Sequence, residues 1–304
     1  MDMTINKNKS VTANAGDIAA VFNQEGYLVI RNAIDALLAD KIKQEMTSID
    51  ENSHHLGYLK RHAVVPSREN QLKEKFRFKD LYVNSENIRN AVFSPVITDI
   101  IHQLANEPIM AFQNLGFSRG SEQRVHRDSN FIAVDEMKNI FACWMALEDV
   151  EIGNGELIYY PQSHQLPIYE FSEGSSHWIR KRDGIYANEH YVEWLGHALN
   201  ENRFEEKHFL AKKGDCIIWN ANLVHSGSPI QNKAATRYSL ITHFCLAKNR
   251  PNYFNFLKNA SRVKHNAVCY FSSCHYDLSQ ISTSDELKYK SITPIISNEA
   301  MKTS

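Results

Sequence analysis

The chain of 304 residues is 43% hydrophobic and 23% charged, with a formal net charge of −1. A chain of this length and composition can bury a large core, and its charge gives no electrostatic reason to expect binding to nucleic acid or to an anionic membrane. No apolar run approaches the roughly 18 residues that a membrane span needs, and the polar N-terminus lacks the apolar segment of a secretory signal. The five cysteines include no C-x-x-C pair and fit reduced thiols, so the sequence predicts a cytoplasmic protein.

The first predicted elements, over residues 1–108, are mainly helical. A helical apolar rhythm ends at Gly26, a short β-branched strand follows, and Asp35 is placed to cap the next helix. Two further helices are predicted over 85–92 and 95–105. This part of the chain is expected to flank the core.

From residue 109 the sequence favours strands. The segments are short, rich in β-branched and aromatic residues, and separated by turn residues: IMAFQNLGFS, NIFACWMALEDV, GELIYYP, DCIIWN and TRYSLITHFCLA. They predict one domain that is mainly β with flanking helices, a jelly roll or barrel-like sandwich over 109–248. Residues 164–207 interrupt the strands as a long insertion expected to cover a site, here called the lid segment, and 249–304 form a C-terminal extension.

The stretch QRVHRDSNF places His126 and Asp128 two residues apart. With 14 histidines in the chain, a His-x-Asp triplet is expected by chance, and a second one exists at His275 and Asp277. Side chains two apart on a strand point to the same side, so either pair can reach one metal ion. The partners that each pair has elsewhere in the chain must decide between them.

A facial triad of two histidines and one carboxylate needs a second histidine from a distant strand. His225 offers this ligand just after an apolar strand, and Arg237 begins the strand that follows. Three protein ligands leave three positions on the metal open. A 2-oxo acid can chelate the metal through two of them and dioxygen can take the third. If the acid is 2-oxoglutarate, a guanidinium can bind its far carboxylate in a planar, bidentate way. No histidine or arginine follows Asp277, so the pair His126 and Asp128 is preferred.

These motifs resemble a known family. The segments HRD, WMALEDVEIGNGELIYYPQSH and KKGDCIIWNANLVHSGSPIQNKAATRYSL, with FNQEGYLVIRNAI near the start, are similar to the phytanoyl-CoA dioxygenase family of iron(II)/2-oxoglutarate oxygenases. The resemblance implies a double-stranded β-helix, or cupin-like, core that uses iron(II), 2-oxoglutarate and dioxygen. It implies that His126, Asp128 and His225 bind the iron, that Arg237 holds 2-oxoglutarate, and that Trp144 lines the co-substrate pocket.

The chain also departs from the family pattern. Gly227 stands where the family often has serine, and Ser228 and Gln113 are the further candidates for 2-oxoglutarate contacts. The alternative for Gln113 is a cross-strand hydrogen bond. Related halogenases replace the metal carboxylate by a small residue, whereas this chain keeps Asp128. The resemblance therefore implies hydroxylation or another outcome that begins with hydrogen abstraction.

The expected function is hydroxylation of an unactivated C–H bond in a small molecule, as in secondary metabolism, with release of succinate and CO2. Asn114 and the lid residues Arg180 and Arg182 are candidates for substrate contacts, the arginines for an anionic group, although such a charge run is commonly solvated surface. Trp219 is interpreted as a core aromatic residue. The alternatives are desaturation, cyclisation or demethylation by the same class, a cupin-type metal enzyme without 2-oxoglutarate, and a non-catalytic binding protein.

Overall fold

The structure, a computed structural model, describes residues 4–6, 15–49, 77–132, 134, 139–251, 261–289 and 292. Its helices lie before the main strands and in the lid segment. They are α1 Ala15–Glu25, α2 Ala36–Ser48, α3 Glu86–Val92, α4 Pro95–Ala105, α5 Arg180–Asp183 and α6 Tyr186–Glu201. None of the helices within the described ranges has the length and apolar character needed to cross a bilayer.

The described strands form two sheets. They are β1 Thr4–Asn6, β2 Tyr27–Arg31, β3 Phe78–Lys79, β4 Ile109–Phe117, β5 Phe141–Ala146, β6 Leu157–Tyr159, β7 Lys207–Phe209, β8 Cys216–Asn220, β9 His225–Gly227, β10 Ser239–Leu246, β11 Val263–Lys264 and β12 Cys269–Phe271. The large sheet has the order β1-β2-β8-β5-β10-β4-β12-β11, with β3 paired to β4. The small sheet has the order β7-β6-β9.

The two faces of the large sheet bury different cores. Helices α1 to α4 cover one face, and their apolar residues form a helix-side core with Leu240 and Phe244 of β10. The other face meets the small sheet, and Trp144 and Trp219 of the large sheet pack there with Leu157 of the small sheet. Side chains alternate along each strand, so every second residue of β5, β8 and β10 points into the space between the sheets.

The predicted fold class is confirmed. The protein is mainly β with flanking helices, and its two sheets face each other without closing into a barrel. The N-terminal part contributes β2 and the C-terminal extension contributes β12 to the large sheet, so both segments share the sheet of the core. The division into 1–108, 109–248 and 249–304 within a single domain stays a proposal.

Local signals account for the helix ends. The Asp35 carboxylate accepts a hydrogen bond from Leu38 N at the start of α2, as a cap does, and α4 begins at Pro95, which needs no backbone partner there. Gly26 follows α1 with a φ of +82°, a conformation that favours glycine.

Two elements differ from the sequence expectation. His225 was placed after a strand but begins the three-residue strand β9. The lid segment was predicted only as an insertion, yet it contains α5 and α6. The buried residues of α6 are Tyr191, Leu195, Ala198 and Leu199, which follow a helical spacing that its many aromatic and polar neighbours obscured.

A buried carboxyl group joins the end of β3 to the C-terminal extension. Asp80 is fully buried, and its two oxygens accept hydrogen bonds from Asn114 N at 2.8 Å and Ser273 Oγ at 2.6 Å. Burial raises the pKa of Asp80 to about 6, and the hydrogen bonds from Ser273 and Asn114 oppose this shift only in part. The folded protein therefore binds a proton at Asp80 more readily than the unfolded chain does.

This shift predicts a specific pH dependence for the Asp80→Asn variant. Because the folded pKa lies above the unfolded value of 3.8, Asp80 contributes stability below about pH 4 that is lost as the pH rises through about 6. The free energy of unfolding of the wild type should therefore fall relative to that of Asp80→Asn by about 3 kcal/mol over this range. Urea unfolding of both proteins at several pH values measures the difference, and parallel pH profiles would contradict it.

Candidate metal centre

Three side chains meet in the space between the two sheets. His126, Asp128 and His225 are buried, and one potential ligand atom from each lies within 4.8 Å of the others. Asp128 Oδ1 is 3.7 Å from His126 Nε2 and 3.6 Å from His225 Nε2. Metal bonds of about 2 Å place neighbouring ligand atoms about 3 to 4 Å apart, so one ion fits between these atoms.

The backbone holds the two histidines side by side. His126 N donates to His225 O at 2.9 Å, and His225 N donates to His126 O at 3.0 Å, which forms a single antiparallel bridge. Asp128 begins a short 3-10 turn, Asp128–Asn130, directly after this bridge. The main-chain bridge and the turn that follows it therefore bring the three side chains together.

Each histidine presents the same ring nitrogen to the centre. His126 Nδ1 lies 2.8 Å from Arg124 O, and His225 Nδ1 lies 3.0 Å from Leu223 O. A carbonyl can only accept, so both rings carry their proton on Nδ1 and turn an unprotonated Nε2 to the centre, where Nε2 of His126 lies 3.0 Å from Gln123 Nε2. Burial, together with the neighbouring His225, lowers the pKa of His126 to about 3, which keeps this ring neutral at physiological pH.

The carboxylate of Asp128 is ionised and held at both oxygens. Burial would raise its pKa, but His225, His243 and His126 outweigh that effect and hold the pKa below its usual range. Trp219 Nε1 donates to Asp128 Oδ2 at 2.9 Å, and His243 Nε2 lies 3.5 Å from the same oxygen. Oδ1 is thereby left facing the two ligand histidines.

Sequence reasoning missed both of these contacts. Trp219 is buried in the core between the sheets, where it was expected, but it also serves as a hydrogen-bond donor to Asp128. A buried indole N–H needs an acceptor, and that requirement was the available signal. His243 lies in an apolar strand segment, and nothing in the local sequence distinguished it from a core residue.

Arg237 provides a buried cation beside Trp144, a residue of the core between the sheets. Its guanidinium carbon lies 5.3 Å from the ring centre of Trp144 and 6.0 Å from that of Phe117. Nη1 donates to Gly155 O at 2.6 Å and Nη2 approaches Ser239 Oγ at 3.4 Å, while Nε has no hydrogen-bond partner in the described part of the chain. Burial lowers the pKa of Arg237 to about 10, so the group remains charged near neutral pH.

A close backbone contact positions the acceptor of Arg237. Gly155 has a φ of +80°, and a Cβ added at Gly120 would lie 2.7 Å from Gly155 Cα. No side chain fits between the two segments, so both positions require glycine. Arg237 N also donates to Ser118 O at 2.9 Å, which fixes the arginine to the segment that carries Gly120.

A second guanidinium group, which the sequence analysis did not identify, lies on the same side of the large sheet. Arg77 Nη2 donates to Gln123 Oε1 at 3.2 Å, and its guanidinium carbon lies 5.7 Å from the ring centre of Phe117. Gln123 Nε2 in turn is 3.0 Å from His126 Nε2. Burial lowers the pKa of Arg77. Arg77 precedes a two-residue strand, and no motif marked it.

The remaining candidates of the β core take different positions. Gln113 of β4 pairs in register with His243 of β10 and is half-buried. Ser228 is buried, and its N–H donates to Glu156 O at 2.9 Å. Asn114 donates from Nδ2 to Thr242 Oγ1 at 2.9 Å, a residue with which it is paired in register, so the structure does not bring Asn114 to the metal centre.

The basic run of the lid segment faces other partners. Arg180 is exposed, and Arg182 Nε donates to the Asp183 carboxylate at 2.8 Å while Nη2 donates to His177 O. The structure therefore does not bring these two arginines to the metal centre. An aromatic residue of the centre contacts the lid instead, because Phe131 lies 5.9 Å from the ring of His126 and 6.1 Å from that of Trp178, edge-on to both.

The alternative His-x-Asp pair has no such surroundings. Asp277 is exposed, and it accepts a hydrogen bond from Ser279 N. His275 lies instead with Cys274 and Asp80 in a second group of potential ligands. The Asp80 oxygens are already engaged by two donors, and the cation Lys79 lies nearby. We assign no metal to this group.

The fold and the site together define a cupin-like protein with a two-histidine, one-carboxylate centre between its sheets. The phytanoyl-CoA dioxygenase (PhyH) family matches residues 22–238, well over half of the chain. The chain belongs to this family, as its motifs implied.

Curated relatives are distant. The Danio rerio phytanoyl-CoA dioxygenase domain-containing protein 1 is 23% identical over 154 residues, 50% of this chain and 48% of that protein. The peroxisomal phytanoyl-CoA dioxygenase of Bos taurus is 21% identical over 234 residues, 73% of this chain and 66% of that protein. The alignments with curated relatives thus span between 41% and 66% of the relatives' own length.

Solved structures show the same fold. The epimerase SnoN from nogalamycin biosynthesis, in complex with Fe3+, α-ketoglutarate and nogalamycin RO, has a TM-score of 0.57 at 19% identity, over 81% of this chain and 90% of that chain. EctD from S. alaskensis, with 2-oxoglutarate and 5-hydroxyectoine, has a TM-score of 0.55 at 15% identity, over 80% of this chain and 79% of that chain. At these identities the likeness establishes the fold alone.

Proposed function

We propose that the protein is an iron(II)/2-oxoglutarate-dependent oxygenase that hydroxylates an unactivated C–H bond of a small molecule and releases succinate and CO2. The observation that carries this proposal is the buried group His126, Asp128 and His225; Arg237 supports it as a buried cation with no hydrogen-bonded carboxylate in the described part of the chain. Membership of the PhyH family supports it, as do the iron and 2-oxoglutarate named with the similar structures.

The residues fit iron(II). His126 and His225 offer two neutral imidazole nitrogens, and Asp128 offers an ionised oxygen, which is the donor set that non-haem iron(II) oxygenases use. Bound iron(II) would supply the activation of dioxygen that C–H oxidation requires. The burial of all three side chains limits the access of water to this chemistry.

The two guanidinium groups fit the two carboxylates of 2-oxoglutarate. We expect Arg237 to hold the far carboxylate, with Ser239 as a second donor and the Trp144 ring as one wall of the pocket. Arg77 is linked to His126 through Gln123, and we expect it to face the carboxylate next to the oxo group. Gln113 and Ser228 stay proposals for further contacts with the co-substrate.

The proposed class of reaction rests on the carboxylate that the chain retains. Asp128 occupies the position that a halide would need, so we propose hydroxylation, or a desaturation, cyclisation or demethylation that starts with the same hydrogen abstraction. We propose a small-molecule substrate that enters beside Phe131 and Trp178, with Arg180 at the lid surface as a candidate for an anionic group. The cytoplasmic location stays a prediction.

Anaerobic titration tests the proposal directly. Addition of iron(II) and then 2-oxoglutarate to the purified protein should produce a visible metal-to-ligand charge-transfer band that requires both ligands. Screening of small molecules by succinate release would then identify the substrate. A folded, iron-loaded protein without this band would favour a cupin-type enzyme that does not use 2-oxoglutarate, and a protein that binds no iron would favour a binding protein.

The variant His225→Ala is expected to abolish iron(II) binding. It removes one of three ligands and leaves the backbone bridge to His126 in place, so the fold should remain intact while affinity falls by at least about 100-fold. Anaerobic calorimetry with iron(II) measures the change. The matched control is His208→Ala, which alters a half-exposed histidine outside the centre and should bind iron like the wild type. Unchanged binding by His225→Ala would exclude this ligand set.

A further inference from the structure

The two oxygens of Asp128 have different partners. Oδ1 faces Nε2 of His126 and of His225 at 3.7 and 3.6 Å. Oδ2 accepts the Trp219 indole N–H at 2.9 Å and has His243 Nε2 at 3.5 Å. A carboxylate can bind a metal through one or both oxygens, and here the second oxygen is turned toward two potential donors from the large sheet.

The position of His243 needs an explanation. It is 3% exposed, and neither ring nitrogen makes a hydrogen bond of ordinary geometry in the described part of the chain. Asp128 Oδ2 is nevertheless within 3.5 Å, and the neighbouring ring of Phe112 lies at 6.2 Å. A buried imidazole without partners is costly, so a functional reason for its placement is expected.

An irregularity of the sheet directs His243 toward the centre. The register of β10 on β4 shifts between His243 and Phe244, so that His243 pairs with Gln113 while Phe244 pairs with Ala111. Phe112 is the extra residue of this bulge. Bulges re-aim side chains and are frequent next to active sites. Phe244 points into the helix-side core, whereas His243 points to Asp128.

We propose that His243 and Trp219 are positioning residues that hold Asp128 as a ligand through Oδ1 alone. By engaging Oδ2, they prevent the carboxylate from occupying a second metal position. A 2-oxo acid needs two adjacent positions to chelate, so this restraint keeps the centre open for the co-substrate. The inference rests on the proposed function, since it concerns how the same centre admits 2-oxoglutarate.

The test compares two ligands that differ in chelation. 2-Oxoglutarate takes two metal positions, whereas succinate offers the same far carboxylate to Arg237 but has no oxo group with which to chelate. Both dissociation constants are measured anaerobically on iron-saturated protein for the wild type, His243→Phe, Trp219→Phe and the double variant. His243→Gln serves as the conservative variant because its amide nitrogen can reach the position of Nε2.

The expected result is a loss of affinity for 2-oxoglutarate but not for succinate. The dissociation constant for 2-oxoglutarate should rise about tenfold in His243→Phe and more in the double variant, while that for succinate stays within about twofold. His243→Gln should restore most of the 2-oxoglutarate affinity. Trp219→Phe removes the shorter of the two contacts and provides an independent measurement if His243→Phe folds poorly.

Other outcomes would overturn the inference. His243 would be only a packing residue if its variants lost equal affinity for both ligands. The same would follow if Phe244→Leu, on the opposite face of β10, lost as much affinity for 2-oxoglutarate. Unchanged 2-oxoglutarate affinity in the double variant would lead to the same conclusion. If the wild type itself shows no charge-transfer band with iron(II) and 2-oxoglutarate, it is the proposed function that fails.

Discussion

Replacing Arg237 with alanine is expected to weaken 2-oxoglutarate binding by at least about 30-fold, because truncation of one partner of a buried charge pair costs about 2 to 5 kcal/mol. The guanidinium is buried against Trp144 and Phe117 and is anchored by Gly155 O. Iron(II) affinity should change little, since Arg237 does not contact the ligand atoms. Anaerobic calorimetry with each ligand in turn separates the two effects.

The lysine variant sharpens this test. Arg237→Lys keeps a positive charge but loses the planar fork that matches a carboxylate, so its 2-oxoglutarate affinity should lie between those of the wild type and the alanine variant. Arg262→Ala changes an arginine that donates to the backbone carbonyls of Lys248 and Asn249, and this variant should bind like the wild type. Wild-type affinity in Arg237→Ala would show that the co-substrate does not bind at this position.

The largest loss of stability is expected for Arg127→Ala. Arg127 stands between the two ligands of the HRD motif, is 1% exposed, and donates from its guanidinium to the backbone oxygens of Ser163, Leu166 and Pro167 at 2.8 to 3.1 Å. The variant leaves these buried acceptors without a donor and opens a cavity. The free energy of unfolding should fall by about 4 kcal/mol, as urea unfolding of the metal-free protein would measure.

An arginine on the same segment provides the control. Arg124 pairs with Glu189 at the surface, where both side chains are about half exposed, so Arg124→Ala should cost less than about 1 kcal/mol. The contrast matters for the centre, because Arg127 ties the ligand segment to the start of the lid segment. If the free energy of unfolding falls by the same small amount in both variants, the Arg127 guanidinium does not hold the two segments together.

The sequence was sufficient to identify the candidate metal ligands, but it did not identify the residues that contact them. His126 and Asp128 are two residues apart, and the distant His225 and Arg237 follow in the order that the family motifs show, so these candidates could be recognised from the sequence. The structure places Asp128 in a 3-10 turn and His225 in β9 rather than on a strand and in a turn. Trp219 and His243 engage Asp128 only because β8 and β10 lie beside the small sheet. The direction of His243 further depends on a one-residue bulge, which no periodic pattern in the sequence reports.

For the lid segment too, the sequence predicted the element but not the contacts of its side chains. Its position as a long insertion predicted a covering element, and its basic run suggested substrate contacts for Arg180 and Arg182, which stay a prediction. Asp183, the next residue, engages Arg182 locally. Arg77 was overlooked because a single arginine before a two-residue strand belongs to no recognisable motif. Only the folded sheet places it near His126.

The contact between Gly120 and Gly155 implies a constraint on how this chain can evolve. Neither residue carries a functional group, yet together they set the position of the oxygen that anchors Arg237. A methyl group at either position would have to be accommodated by moving the other segment, and with it the guanidinium. Part of the proposed co-substrate pocket thus depends on the absence of a side chain at both positions, and in diverging sequences these two positions should be conserved or altered as a pair.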